Sequence, residues 1–181
     1  LRKPDGVDVR LRSGEVHTFD QVVLACHSDQ ALALLADPSP AEREILAAIP
    51  YRGNDTVLHT DSALLPSLSR ARASWNCRIP RRATDGVSLT YWMNKLQSLD
   101  APEDFCVTLN TSDAVHPRKI IRRLVYHHPE YSTAAFEAQR RRDEINGVNR
   151  TWFCGAYWGY GFHEDGLKSA LSICRHFGKE L

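Results

Sequence analysis

The stretch TWFCGAYWGYGFHEDGLKSALSICRHF, residues 151–177, constrains this chain more than any other. TWFC reads as a buried strand that stops at Gly155, and Gly159 and Gly161 free the connecting loop. HEDGLKSALSICRHF then has the apolar spacing of an amphipathic helix ending at Gly178. A helix that starts directly after a strand offers unpaired backbone N–H groups and the positive end of its dipole. Both favour a phosphate or a delocalised negative charge, and Gly166 lets a flat ring approach the backbone. A glycine-rich loop that merely turns the chain has the same composition, so the pattern alone leaves both readings open.

The other end of the chain is strand-rich. VDVRLR alternates apolar and charged residues, SGE turns, VHTF alternates again, and the run QVVLAC reads as a fully buried strand. QALALLA after His27-Ser28-Asp29 is helical in composition. Ser39-Pro40-Ala41-Glu42 then supplies an N-cap, a proline at the first helical position and a glutamate at the third, which predicts a helix over 40–49. Four β-type runs follow at 54–60, 87–94, 104–110 and 119–127, separated by Pro, Gly, Asp and Ser clusters, as in an antiparallel sheet. Ser132 caps a helix predicted over 132–145, with Asn146-Gly147 at its end, and a last helix is predicted over 164–178. Arg140 to Arg142 read as a solvated face beside Asp143 and Glu144.

Charge and cysteine usage narrow the function. Lys and Arg number 23 against 22 Asp and Glu, so no one-sided field calls for nucleic acid. Apolar runs such as VVLAC fall far short of the roughly 20 residues a membrane span needs. Five scattered cysteines suit reduced thiols in a cytoplasmic protein better than a disulfide framework or a zinc site. His127 and His128 are adjacent on a strand and point to opposite faces, so they are poorly placed to chelate one metal ion. No GxSxG stands out, which argues against a hydrolase.

The VVLAC strand after a glycine-turned ribbon, the late TWFCGAYWGYGFHEDGLKSAL, and the strings LTYWMNKLQSL and YHHPEY together carry a family likeness. The chain resembles the flavin-containing amine oxidase superfamily, and within it the bacterial NAD/FAD-binding oxidoreductases of amine-oxidase type. The resemblance implies an α+β fold with a mixed, mainly antiparallel sheet, flanking helices and remnants of a Rossmann-like FAD domain. Its segments would be 1–38 and 151–181 for FAD binding and 39–150 for substrate. It also implies an FAD-dependent oxidoreductase that takes a hydride equivalent from an amine or lipid-like substrate. The other reading is a binding domain that keeps the fold without turnover.

Carried onto this sequence, the resemblance puts Gly155 and Ala156 near the FAD phosphates and Glu164, Asp165 and Gly166 by the flavin ring. Gly161 and His163 fall at the helix start, and His27 falls near ribose or phosphate. Tyr91, Trp92, Tyr157, Trp158 and Phe162 become substrate-lining candidates, with Tyr160 and His163 beside them in the aromatic loop. Lys95 is the one candidate for the lysine that holds a water near the flavin in many members. The GxGxxG fingerprint of the family is missing from residues 1–181. The expectation is therefore a fragment that binds FAD weakly or not at all by itself.

Overall fold

The computed structural model describes residues 1–79 and 88–180. In chain order its elements are β1 (Val7–Arg10), β2 (Val16–Phe19), β3 (Val22–Leu24), α1 (Ser28–Leu34), α2 (Pro40–Ala47) and β4 (Tyr51–His59). Then come β5 (Trp75–Arg78), β6 (Ser88–Trp92), α3 (Met93–Leu96), β7 (Cys106–Leu109), β8 (Ile120–Pro129), α4 (Thr133–Arg140), β9 (Thr151–Phe153) and α5 (His163–His176). They divide into two compact units, one of Leu1–Tyr51 with the chain from Pro129 onward, the other of Arg52–His128.

In the first unit, β1 and β2 form an antiparallel ribbon turned at Gly14, whose φ of 90° lies in the left-handed region open to glycine. β3 pairs in parallel with β9, Leu24 opposite Phe153. Helix α2 starts as its sequence dictates. Ser39 Oγ accepts the Glu42 N–H at 3.2 Å, and the Glu42 carboxylate accepts the Ser39 N–H at 2.7 Å. Ala31, Ile45, Leu46, Ala138, Ile145 and Phe153 make the core that joins α1, α2, α4 and β9. The buried Glu42 carboxylate is matched by Arg2, whose Nη1 lies 2.6 Å away. Arg150 donates to the carbonyls of Pro4 and Asp20 and so ties the N-terminal segment to the start of β9.

Two expectations are corrected here. VVLAC does not form a fully buried strand, because Val23 is 46% exposed: β3 has only β9 as a neighbour among the described residues, and one partner cannot cover both edges and faces. The helix expected to reach 145 ends at Arg140 and tightens into a 3-10 turn over Arg142–Glu144. That tightening delivers Asn146 Oδ1 to the Phe153 N–H at 2.7 Å, a bond a continued α-helix would not offer.

The second unit is one five-stranded sheet in the order β5-β6-β7-β4-β8. β5 with β6, β6 with β7 and β7 with β4 are antiparallel, which is the mainly antiparallel sheet expected. Val87, the first residue of the predicted run 87–94, lies outside the described residues, and that run ends early because residues 93–96 turn into α3. On one face of the sheet, His59 is fully buried. Its Nδ1 accepts the Asp61 N–H at 3.0 Å, so Nε2 carries the proton and meets Thr108 Oγ1 at 2.8 Å. Thr108 in turn lies 2.8 Å from Thr90 Oγ1.

Candidate cofactor site

The site grows out of the end of β9. Its three residues are buried, and the Cys154 N–H donates to Leu24, extending the parallel pairing to the edge of the loop. At Gly155 the chain turns under its own aromatic residue: a Cβ there would fall 2.5 Å from the Tyr157 ring. The Gly155 N–H donates to Ser169 Oγ at 2.9 Å, and Ser169 Oγ donates to the Gly166 carbonyl at 2.8 Å, which docks the loop on the first turns of α5.

Asp165 closes the loop from the other side. One carboxylate oxygen accepts the N–H groups of Tyr160 and Phe162, each at 3.0 Å, while a Cβ at Gly159 would strike the same side chain. Gly161, at φ 86°, completes the turn in a conformation that disfavours larger residues. Gln139 on α4 holds the carbonyls: its amide donates to Tyr157 and to Gly159 at 2.8 and 2.7 Å. Ser169 and Gln139 were not legible in the sequence as parts of this site, since each looks like an ordinary polar residue on a helix surface.

The loop's own hydrogen bonds show what is left over. The N–H groups of Trp158, Gly159 and Gly161 bond to carbonyls of the loop, and those of Gly155, Tyr160 and Phe162 bond to side chains. Among the described residues, the N–H groups of Ala156 and Tyr157 have no such partner, and those of the first two residues of α5, His163 and Glu164, have none within the helix. Gly166 sits beside them, and a Cβ there would make only ordinary contact, 3.7 Å from the Ala156 nitrogen. The protein's packing therefore does not require glycine at 166, and a Cβ there would lie against Ala156. Two spare donors in the loop and two at the start of a 14-residue helix have the polarity that a cofactor's anionic part needs.

The remaining predicted residues are spread more widely. His163 and Glu164 are exposed on the first turn of α5, with the Glu164 carboxylate 3.8 Å from Lys168 Nζ. Phe162 and Tyr160 are exposed, whereas Tyr157 is in the core against Ile49, Ala135 and Trp158. Trp158 turns its Nε1 to the Phe153 carbonyl at 3.0 Å. His27 is the N-cap residue of α1 and stacks on Tyr51 at 4.4 Å between ring centroids. Burial pushes the Tyr131 phenol up to about 12 and the Tyr157 phenol higher still, and neither hydroxyl has a hydrogen-bond partner among the described residues. Burial also raises the Cys154 thiol, which packs with Trp152 and Ile173 as an inert small side chain.

Tyr91, Trp92 and Lys95 belong to the other unit. Neighbours on a strand face opposite ways, so Tyr91 and Trp92 cannot line the same surface. Tyr91 meets Trp75 edge-on at 5.4 Å, and Trp92 donates to Asp104 at 2.8 Å under the Arg72 guanidinium. Lys95 Nζ donates to the Arg72 carbonyl at 3.2 Å and so braces the same cluster. No group of residues suited to a metal ion occurs among the described residues, and no helix among them is long and apolar enough to cross a membrane.

Comparison with known proteins gives this geometry a family. The model of the flavin containing amine oxidoreductases matches residues 1–176. The chain belongs to that family. Its fold is similar to the crystal structure of a CLA-producing fatty acid isomerase from P. acnes, with a TM-score of 0.65 at 15% identity over 97% of this chain and 45% of the other. It is also similar to a protein provisionally named a protoporphyrinogen oxidase from Exiguobacterium sp. 255-15, with a TM-score of 0.62 at 14% identity over 98% of this chain and 45% of the other. This chain thus spans under half the length of either solved structure, and at such identities the likeness speaks for the fold alone. None of the curated proteins matches it.

Proposed function

We propose that this chain is part of an FAD-dependent oxidoreductase of amine-oxidase type, and that the strand–loop–helix of residues 151–176 holds part of the cofactor. The observation that carries the reading is the set of donors without a partner among the described residues, the N–H groups of Ala156 and Tyr157 in the loop and of His163 and Glu164 at the start of α5, with Gly166 packed against Ala156. When bound, the flavin accepts a hydride equivalent from the substrate. The protein's part is to bind, orient and tune. Ala156 beside Gly155 suits the diphosphate, because its N–H adds a donor without a side chain that obstructs approach. Glu164 can only accept when ionised, so it suits the hydroxyl- and N–H-bearing parts of FAD and not its phosphates. Donors at the start of α5 stabilise negative charge that develops on the ring. Asp165 acts through the loop: bound to Tyr160 and Phe162, it fixes the backbone that presents Gly161 and His163.

The substrate is an amine or a lipid-like molecule, and the exposed Phe162 and Tyr160 are aromatic side chains of this loop that can meet it. His27, Tyr91, Trp92, Lys95 and Trp158 keep roles that only the full active site would assign. Amide hydrogen exchange on the gene product that carries these residues, with and without FAD, tests the reading. Slowed exchange at Ala156, Tyr157, His163 and Glu164 is expected. Unchanged exchange there in a protein that does bind flavin would move the cofactor elsewhere.

A further inference from the structure

Strand β8 presents a surface apart from the cofactor loop. Ten residues long, it is the outermost strand of the five-stranded sheet, with β4 as its one neighbour among the described residues. Among the described residues no strand pairs with its outer edge, where backbone groups over residues 121–125 can take a further strand. Ile121, Val125 and Tyr126 are 53%, 64% and 50% exposed, and Arg122 and Arg123 are exposed between them. The strand, IIRRLVYHHP, contains no acidic residue. Alternation places Ile121, Arg123 and Val125 on one face and Arg122 and Tyr126 on the other, so each face offers apolar surface around one guanidinium.

We propose that β8 is a docking edge for an extended segment carrying adjacent acidic residues flanked by apolar ones, which adds to the sheet as a sixth strand. Charge complementarity names the occupant: paired acids opposite Arg122 and Arg123 fall one on each face, next to Ile121, Val125 and Tyr126. A second copy of the same strand fits worse, because it brings four guanidinium groups to one seam. A lipid surface also fits worse, because hydrocarbon leaves the edge N–H and C=O groups without partners.

A fluorescent peptide of about ten residues, matching β8 in length and carrying two central glutamates among valines and threonines, is titrated into the chain alongside its lysine counterpart. The proposal expects the glutamate peptide to bind at least about tenfold more tightly than the lysine one, with affinity that falls as salt rises. In the Arg122→Glu/Arg123→Glu variant, whose changes are on exposed positions, the preference inverts. Absence of binding, equal binding of both peptides, or a preference untouched by the charge swap overturns it. So does self-association of the chain through this edge, or binding of anionic vesicles that the same swap abolishes while the peptides are ignored.

Discussion

The side-chain amide of Gln139 donates to the backbone carbonyl of Gly159 at 2.7 Å, so a residue of α4 sets the shape of the loop that precedes α5. The same amide holds Tyr157, and together the two bonds keep the loop's carbonyls turned toward α4. Replacing Gln139 by Leu leaves two half-buried acceptors without a donor and should cost about 1–3 kcal/mol. Urea unfolding of the variant measures it. A loss within experimental error of zero would show that water serves those carbonyls equally well.

Two glycines of the loop should answer oppositely to alanine. Gly155→Ala drives a Cβ to 2.5 Å from the Tyr157 ring, an overpacking that costs about 1–3 kcal/mol. Gly166→Ala meets only ordinary contact inside a helix and should stabilise the fold by about 0.5–1 kcal/mol. Flavin retention by the gene product separates structure from function: Gly166→Ala should be more stable yet hold flavin less well. A variant both more stable and equally flavinated would mean that nothing approaches that turn.

Stability should fall on mild acidification through His59. Burial holds its imidazole below the ordinary value of 6.5, Asp61 opposes that and Lys119 adds to it. The unfolded chain then takes up the proton more readily than the folded one. The neutral His59 contribution is complete above the ordinary imidazole range and is lost as pH falls through it toward the lower folded value. Asp61 titrates in a separate window, since the His116 N–H above all keeps its carboxylate below the usual range and its contribution is lost only at lower pH. Urea midpoints between about pH 8 and 5 should decline in the wild type and flatten in His59→Gln. Equal slopes would assign the acid sensitivity to another group.

Arg2 and Glu42 form the buried ion pair of the first unit, with side chains 5% and 0% exposed. Arg2→Met strands the Glu42 carboxylate and should destabilise by about 3–5 kcal/mol. Adding Glu42→Gln should recover part of that loss, as seen in thermal unfolding of the single and double variants. A double variant as unstable as the sum of both single changes would deny the coupling.

Much of the fold could be read from local signals. The Ser39-Pro40-Glu42 cap announced α2, Ser132 announced α4, and the alternation of VDVRLR and VHTF announced the β1–β2 ribbon, because each depends on residues within one or two turns. Strand β5 was not foreseen: WNCR has little pattern of its own and exists through pairing with β6. The early end of α4 and the exposure of Val23 both depend on partners distant in sequence. At the candidate site the glycines and the helix start were legible. The clamp by Gln139 was not, since a separation of 20 positions from Gly159 hides the contact.

The central claim is that residues 151–176 hold part of a flavin, and the absorption spectrum of the gene product purified from cells tests it most directly. The account predicts the near-ultraviolet and blue bands of bound flavin, weakened by Gly166→Ala. A protein without those bands, even after refolding with added FAD, would contradict it and leave the loop from Gly155 to Gly166 as a turn of the chain.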